Sequence, residues 1–220
     1  MLEPELHEIE QQLRCPSGEL GVKFGHEMHA SNLGMTLRTI ARLDIQDGER
    51  VLELGHGNCG HLAEITAIAP HVRYVGLETS TLMKQQAIKL NKSLIANHDI
   101  AFQHYDGVQI PYPDNSFDKI FSVNTLYFWS PAQALRDEIA RVLKPNGLAL
   151  LTYAQKQFMK TLPFVGEMFQ LYDSSDVAQL VKHSPLQVIE FIDENDRAKS
   201  KSGQMVDRQY SVAVLQKTSN

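Results

Sequence analysis

The chain reads as an α/β protein, a three-layer sandwich built on one mostly parallel sheet, and three observations predict it. Strand-like and helix-like segments alternate from residue 50 to 154. Parallel strands need such crossovers, which are right-handed and leave helices on both faces of the sheet. Residues 51–60, Val-Leu-Glu-Leu-Gly-His-Gly-Asn-Cys-Gly, run from an apolar strand into glycines at 55, 57 and 60. Glycine is needed where a strand turns sharply toward a helix with its backbone against a ligand. Finally, 186–193 and 206–216 read as strands joined by a polar segment from Asp193 to Gly203. A hairpin there makes the last strand antiparallel to the rest.

The elements run in order. A polar helix spans about 3–14, and glycines at 18, 21 and 25 read as a loop. The next helix, 26–43, carries Met28, Leu33, Leu37, Ile40 and Ala41 at helical spacing. Strand 50–55 leads to helix 59–69, whose first N–H groups and positive dipole end face the glycine loop. Strand 73–78 leads to helix 80–96, which Ser80 caps. Strand 100–105 ends at Asp106-Gly107, and strand 118–124 comes next. Helix 131–143 takes Ser130 as cap and Pro131 as its first residue. Lys144-Pro145-Asn146-Gly147 stops it and turns into strand 147–154.

A chain of 220 residues, 43% hydrophobic, has material for one domain with a substantial core. The formal net charge is −5 and no run of lysine or arginine marks a phosphate-binding surface, which argues against a nucleic-acid partner. No apolar stretch is long enough for a membrane span, and MLEPELHEIEQQ is acidic rather than signal-like. Cys15 and Cys59 lie far apart without a CxxC pair, so a reduced, cytoplasmic protein is expected.

Two cofactor classes use a loop of this kind. Gly55, Gly57 and Gly60 satisfy the dinucleotide pattern, with Glu78 about 20 residues on to meet a ribose. A fold for S-adenosylmethionine (SAM) places an acid two residues before the first glycine, which Glu53 supplies, and another at the end of the second strand, again Glu78. The loop alone does not choose between them.

Four blocks together do. They are Glu53 to Gly60, Gly76-Leu77-Glu78, Ile110-Pro111-Tyr112-Pro113-Asp114-Asn115-Ser116-Phe117-Asp118-Lys119-Ile120, and Ile139-Ala140-Arg141-Val142-Leu143-Lys144-Pro145-Asn146-Gly147-Leu148. In this order and spacing the chain resembles the class I SAM-dependent methyltransferases, in particular the ubiquinone/menaquinone-biosynthesis (methyltransferase type 11) group. A nicotinamide oxidoreductase has no reason to carry the last two blocks. The resemblance implies a Rossmann-like seven-stranded sheet with an antiparallel last strand. It implies a single domain over 1–220, with a helical cap 1–46, a cofactor-binding core 47–154, a substrate-side insertion 155–185 and a terminal hairpin 186–220. SAM is then the cofactor and a small organic molecule the methyl acceptor, with a SAM-binding protein lacking turnover as the rival.

Residue by residue, the resemblance sets the backbones of Gly55 and Gly57 along the methionine part of SAM. Glu53 organises the loop and the cofactor's amino group, and Glu78 with Thr79 holds the ribose hydroxyls. Asp106, Gly107 and Val108 lie along the adenine, and the Asn124 carbonyl faces the methionine amino group. Two positions depart: Cys59 stands where the family often has a third glycine, and Asn146 replaces the first glycine of the turn. The cysteine is expected to sit at a helix start, in a structural role, since no activating base for a nucleophile is identifiable.

Other candidates are weaker. His26 and His29 flank a glutamate at helical spacing but lack a third metal ligand, so surface histidines are expected and no metal site is assigned. His56 and His61 bracket the loop, one of them near cofactor or substrate, or capping the helix. Asn124-Thr125-Leu126-Tyr127 lacks both prolines of the Asn/Asp-Pro-Pro-Tyr stretch of nucleic-acid amino methylases. Tyr127, Phe128 and Trp129 either wall the acceptor pocket or anchor the next helix. The apolar insertion Phe158 to Tyr172 either covers the acceptor site or forms a homodimer contact. Methyl transfer needs a base only where the acceptor must lose a proton, and His29 and Tyr127 are the candidates.

Overall fold

The computed structural model describes residues 3–199 and 205–219. Helices α1 (Glu3–Arg14) and α2 (Gly18–Leu43) precede the alternating part. That part runs β1 (Arg50–Leu54), α3 (Leu62–Ile68), β2 (Arg73–Glu78), α4 (Thr81–Leu90), α5 (Lys92–Asn97), β3 (Asp99–His104), β4 (Phe117–Val123), α6 (Ala132–Val142) and β5 (Leu143–Ala154). The insertion holds α7 (Lys156–Met159) and α8 (Ser174–Val181), and β6 (Leu186–Lys199) and β7 (Met205–Lys217) complete the chain of elements. The sheet order is β3-β2-β1-β4-β5-β7-β6. Strands β1 to β5 pair in parallel, and β7 runs antiparallel to both of its neighbours, as the terminal hairpin predicts.

Strand alternation distributes the core. Leu52 and Leu54 of β1 pack with Leu135 and Ile139 of α6 and with Val177 and Leu180 of α8. Val51 faces the other way, toward Met35 and Ile40 of α2 and Leu62 and Ile65 of α3. Both faces are thus covered, and the strand ends that carry the glycine loop lie outside the two cores. No helix among the described residues is long and apolar enough to cross a membrane.

Several boundaries differ from the sequence reading. Gly18, Gly21 and Gly25 belong to α2 and not to a loop. A Cβ on Gly21 would lie 2.9 Å from Leu82 Cδ2, and one on Gly25 2.6 Å from Met83 Sδ, so these glycines let α2 approach α4. Helix α3 begins at Leu62 rather than at 59, because Cys59 holds a left-handed φ of 49°. The single helix expected over 80–96 is two helices that part at buried Asn91, whose Nδ2 donates to the carbonyls of Ala87 and Cys59, each at 3.0 Å. Ser80 does cap α4, accepting the Met83 N–H at 3.1 Å. Ser130 does not cap α6; Pro131 takes that position after a cis peptide bond. Strand β5 starts at Leu143, with a register irregularity opposite Phe117 and Lys119, so 144–147 does not interrupt it. The polar segment after Asp193 pairs as strand through Lys199↔Met205; its remainder, 200–203, lies outside the described residues.

Alternation also puts Glu53 on the face covered by α2 and α3, where it is 3% exposed. An unpaired carboxylate there would cost several kcal/mol. Its Oε2 accepts hydrogen bonds from His61 Nε2 at 2.9 Å and from the Tyr74 hydroxyl. Burial works against both charges, yet the pairing prevails: Glu53 is held below the ordinary carboxylate value and His61 well above the ordinary imidazole value. A raised histidine stabilises the fold below its unfolded value and loses that contribution as pH rises through the folded value. A lowered carboxylate contributes above its unfolded value and fails as pH falls through the folded one.

The pair therefore stabilises most between the ordinary carboxylate and imidazole ranges, and weakens in alkali as His61 loses its proton. Urea unfolding of His61→Leu should show a loss of about 3–5 kcal/mol near neutrality, since the glutamate is left buried without a counter-charge. The alkaline decline of wild-type stability should flatten in the same variant; an unchanged decline would assign it to another group. Asn91→Ala removes the bond from the helix break to the glycine loop and should cost about 1–3 kcal/mol by the same measurement.

Candidate functional site

Sequence and sheet geometry converge at the carboxyl ends of β1, β2, β3 and β4. Gly55 and Gly57 adopt φ of 73° and 57°, a region glycine enters without strain. A Cβ on Gly55 would collide with Thr125, whereas one on Gly57 would meet nothing within 4 Å, so the loop backbone is open there. Glu78 ends β2 and is 6% exposed. Its Oε2 accepts the Gly57 N–H at 2.9 Å and its Oε1 the Ser80 N–H at 3.0 Å, with the Thr79 hydroxyl at 3.4 Å. Asp106 accepts the N–H groups of Val108 and Gln109 on one oxygen, at 2.8 and 2.7 Å, and these bonds hold it below the usual carboxylate range. Gly107 comes next at φ 86°.

These groups surround a cavity of about 640 Å³. Glu53, Gly55, His56, Gly57, Glu78, Thr79, Asp106, Gly107, Val108, Asn124 and His29 all line it. The turn between α1 and α2 covers it, through Cys15, Pro16 and Ser17. His29 is half-buried rather than a surface histidine; it lies over Gly60 with its ring stacked on His61 at 6.2 Å, and burial pulls its pKa down. His56 is buried and donates from Nδ1 to the Gly57 carbonyl at 2.8 Å, which leaves Nε2 as a buried acceptor without a partner among the described residues. Burial lowers its pKa as well, so the ring is neutral.

Tyr127 does not line this cavity. Its hydroxyl donates to Asn124 Oδ1 at 2.9 Å and accepts the Ala154 N–H at 2.5 Å, clasping the end of β4 to the end of β5. Burial drives its ionisation far upward. Cys59 is fully buried, with Sγ 3.3 Å from the Tyr74 hydroxyl, and burial keeps the thiol protonated. The donor atoms of Glu53, Cys59 and His61 lie within 4.8 Å of one another. Hydrogen bonds among these residues and Tyr74 account for that cluster.

A second, smaller cavity of about 110 Å³ adjoins the first. Phe158, Leu162, Phe164 and Phe169 of the insertion form its walls, and Phe128, Met28, Asn32 and Asn124 border both spaces. The aromatic run serves both roles: Phe128 borders both cavities, Tyr127 lines the smaller and Trp129 the larger, and Tyr127 and Trp129 are also buried with the residues of α6. Sequence reasoning did not single out the α1–α2 turn, Asn32 or Arg208. For Arg208 a signal existed. It shares the inward row of β7 with Tyr210, Val212 and Val214, where an arginine needs a reason.

Residues 52–151 match the family model described as a methyltransferase domain. Among curated proteins, the chain is 31% identical over 132 residues to a sterol 24-C-methyltransferase of Pneumocystis carinii, covering 60% of this chain and 32% of that protein. It is 29% identical over 113 residues to the 27-O-demethylrifamycin SV methyltransferase of Amycolatopsis mediterranei, covering 51% and 41%. The chain thus spans under half the length of these curated relatives. A chain from the complex of the Haloferax volcanii Trm112 methyltransferase activator with a methyltransferase superposes at a TM-score of 0.72, with 19% identity over 86% of this chain and 92% of that one. That likeness bears on the fold alone. The methyltransferase-domain match over residues 52–151 and the methyltransferase relatives support a class I SAM-dependent methyltransferase of the type 11 group, with S-adenosylmethionine as cofactor.

Proposed function

We propose that this chain transfers a methyl group from SAM to a small organic acceptor with apolar surface, by direct in-line displacement. The observation that carries the reading is the pairing of a polar cavity, ringed by the glycine loop and Glu78, with an apolar slot that opens into it beside Asn124. Ligand cavities commonly measure about 300–1,000 Å³, and the polar one is of nucleoside size at about 640 Å³.

The residues fit the cofactor. Glu78 commits one lone pair of each oxygen to the backbone and keeps others to accept from two ribose hydroxyls. Gly57 offers bare backbone to the methionine part, and the lone pair of His56 Nε2 offers an acceptor within the loop. The second oxygen of Asp106, which takes neither the Val108 nor the Gln109 N–H, would meet the adenine edge together with Gly107 and Val108. Glu53 acts one layer below, fixing the loop through His61 and Tyr74.

When bound, SAM supplies an electrophilic methyl on a positively charged sulfur. The chain's own work is alignment and exclusion of water, effects worth roughly 7–11 kcal/mol of barrier when two reactants are held in attack geometry. The α1–α2 turn covers the cofactor side and the insertion the acceptor side. The enclosed Tyr127 hydroxyl makes a poor base, and neutral His29 borders the cofactor cavity rather than the slot.

Calorimetry with SAM, S-adenosylhomocysteine and NADH tests the reading. Both sulfur compounds should bind and NADH should not. Glu78→Ala should weaken them on the order of 10- to 100-fold, as expected for losing hydrogen bonds to a charged group, while Glu78→Gln keeps part of the affinity. Preference for NADH would overturn the assignment, and SAM binding without methyl product from any acceptor would leave a binding protein without turnover.

A further inference from the structure

The methyl-transfer reading leaves the acceptor open, and the slot narrows it; the narrower assignment rests on that reading. Among the described residues lining the slot, Arg208 alone carries a charge, and no carboxylate, lysine or histidine lines it. The Arg208 side chain is 5% exposed, so its guanidinium needs partners. Nε and Nη2 donate to the two oxygens of Asp196 at 3.0 and 2.6 Å, a fork that fixes the plane of the group. Nη2 also donates to the Ser31 carbonyl at 3.1 Å and Nη1 to Asn32 Oδ1 at 3.2 Å. A guanidinium has five N–H groups. Among the described residues these contacts engage four, and one Nη1–H remains at the wall of a mostly apolar space.

Its position matters. Asn32 Oδ1, which takes the other Nη1–H, also accepts from Asn124 Nδ2 at 3.0 Å. Asn32 and Asn124 border both cavities, so Arg208 stands where acceptor and methyl donor would meet. An acceptor that must shed a proton during attack finds no protein base there. An acceptor oxygen already ionised finds a fixed N–H donor of a charged group, and a cationic amine finds no carboxylate lining the slot.

We propose that the slot receives an oxygen acid with an apolar body, a phenol, enol or carboxylic acid, whose oxyanion is held by the remaining Nη1–H of Arg208. The acid gives its proton to solvent before it is seated. A lone pair of the oxyanion then forms the new O–CH₃ bond as the sulfonium S–CH₃ bond breaks, leaving a methyl ether or ester and the neutral thioether. Methylation falls on oxygen, and Arg208 sets both the place and the ionisation state of the acceptor.

The test uses protein loaded with S-adenosylhomocysteine and matched series of 4-alkylphenols, alkanoic acids and alkylamines of equal chain length, titrated by calorimetry. The same compounds are then incubated with SAM and their products read by mass spectrometry. Phenols or acids should bind and be methylated on oxygen, and amines should do neither. Arg208→Met should weaken acceptor binding and kcat/KM on the order of 10- to 100-fold, with S-adenosylhomocysteine affinity unchanged. Arg208→Lys, which keeps the charge without the fork, should recover part, and it carries the comparison if the methionine variant does not fold. Preference for amines, undiminished acceptor binding in both variants, or no binding of any series to the loaded protein would overturn the proposal. Failure of wild-type protein to bind S-adenosylhomocysteine would instead overturn the methyl-transfer reading beneath it.

Discussion

The glycine loop depends on a charge that is shut away from water. Glu53 sits in the middle of the sheet on a covered face, so its carboxylate is tolerated only while His61 and Tyr74 supply hydrogen bonds and a counter-charge. Both ends of the loop are thereby tied to one atom. β1 brings Glu53 before the glycines, His61 stands just after them, and Tyr74 reaches across from β2. A second tie comes from above, where Glu78 takes the Gly57 N–H. The loop is suspended between two carboxylates, one buried for structure and one at the rim with lone pairs to spare.

The two departures from the family pattern each keep the backbone turn that glycine would make. Cys59 and Asn146 each stand where glycine is common, and each holds a left-handed φ, 49° and 64°. For asparagine the strain is small. A cysteine there costs about 1–2 kcal/mol in backbone energy. Its full burial and its contact with the Tyr74 hydroxyl offset that cost. The departure is a change of side chain at a turn whose geometry is kept.

What was legible in the sequence is what rests on periodicity and turn chemistry. The strand and helix alternation, the glycine loop and the terminal hairpin arise from local patterns, and the residues assigned around the cofactor converge on one cavity. What was not legible depends on contacts distant in the chain. Gly21 and Gly25 look like loop residues until Leu82 and Met83 press on them. Nothing local to 80–96 announces that Asn91 will leave the helix to bond the carbonyl of Cys59. The smaller cavity was the least legible, because its polar wall is assembled from α2 and the β6–β7 hairpin, joined through Arg208.

The two cavities demand opposite environments at a shared border, and the border residues show how both are met. Asn124 directs its side chain entirely into the protein. Its amide reaches Asn32, and its carbonyl oxygen accepts from Tyr127 and from the Ala154 N–H. Asn32 passes the chain on to Arg208, which is anchored by Asp196. A polar chain running from β4 through α2 to β6 is therefore satisfied almost throughout, and its members hold one another's orientation. Under the proposed methyl transfer, such a chain gives a rigid line along which a nucleophile would be set against the cofactor, while the phenylalanines behind it exclude water. Rigidity here comes from mutual hydrogen bonding, and the Arg208 Nη1–H without a partner among the described residues is where that proposal seats the substrate.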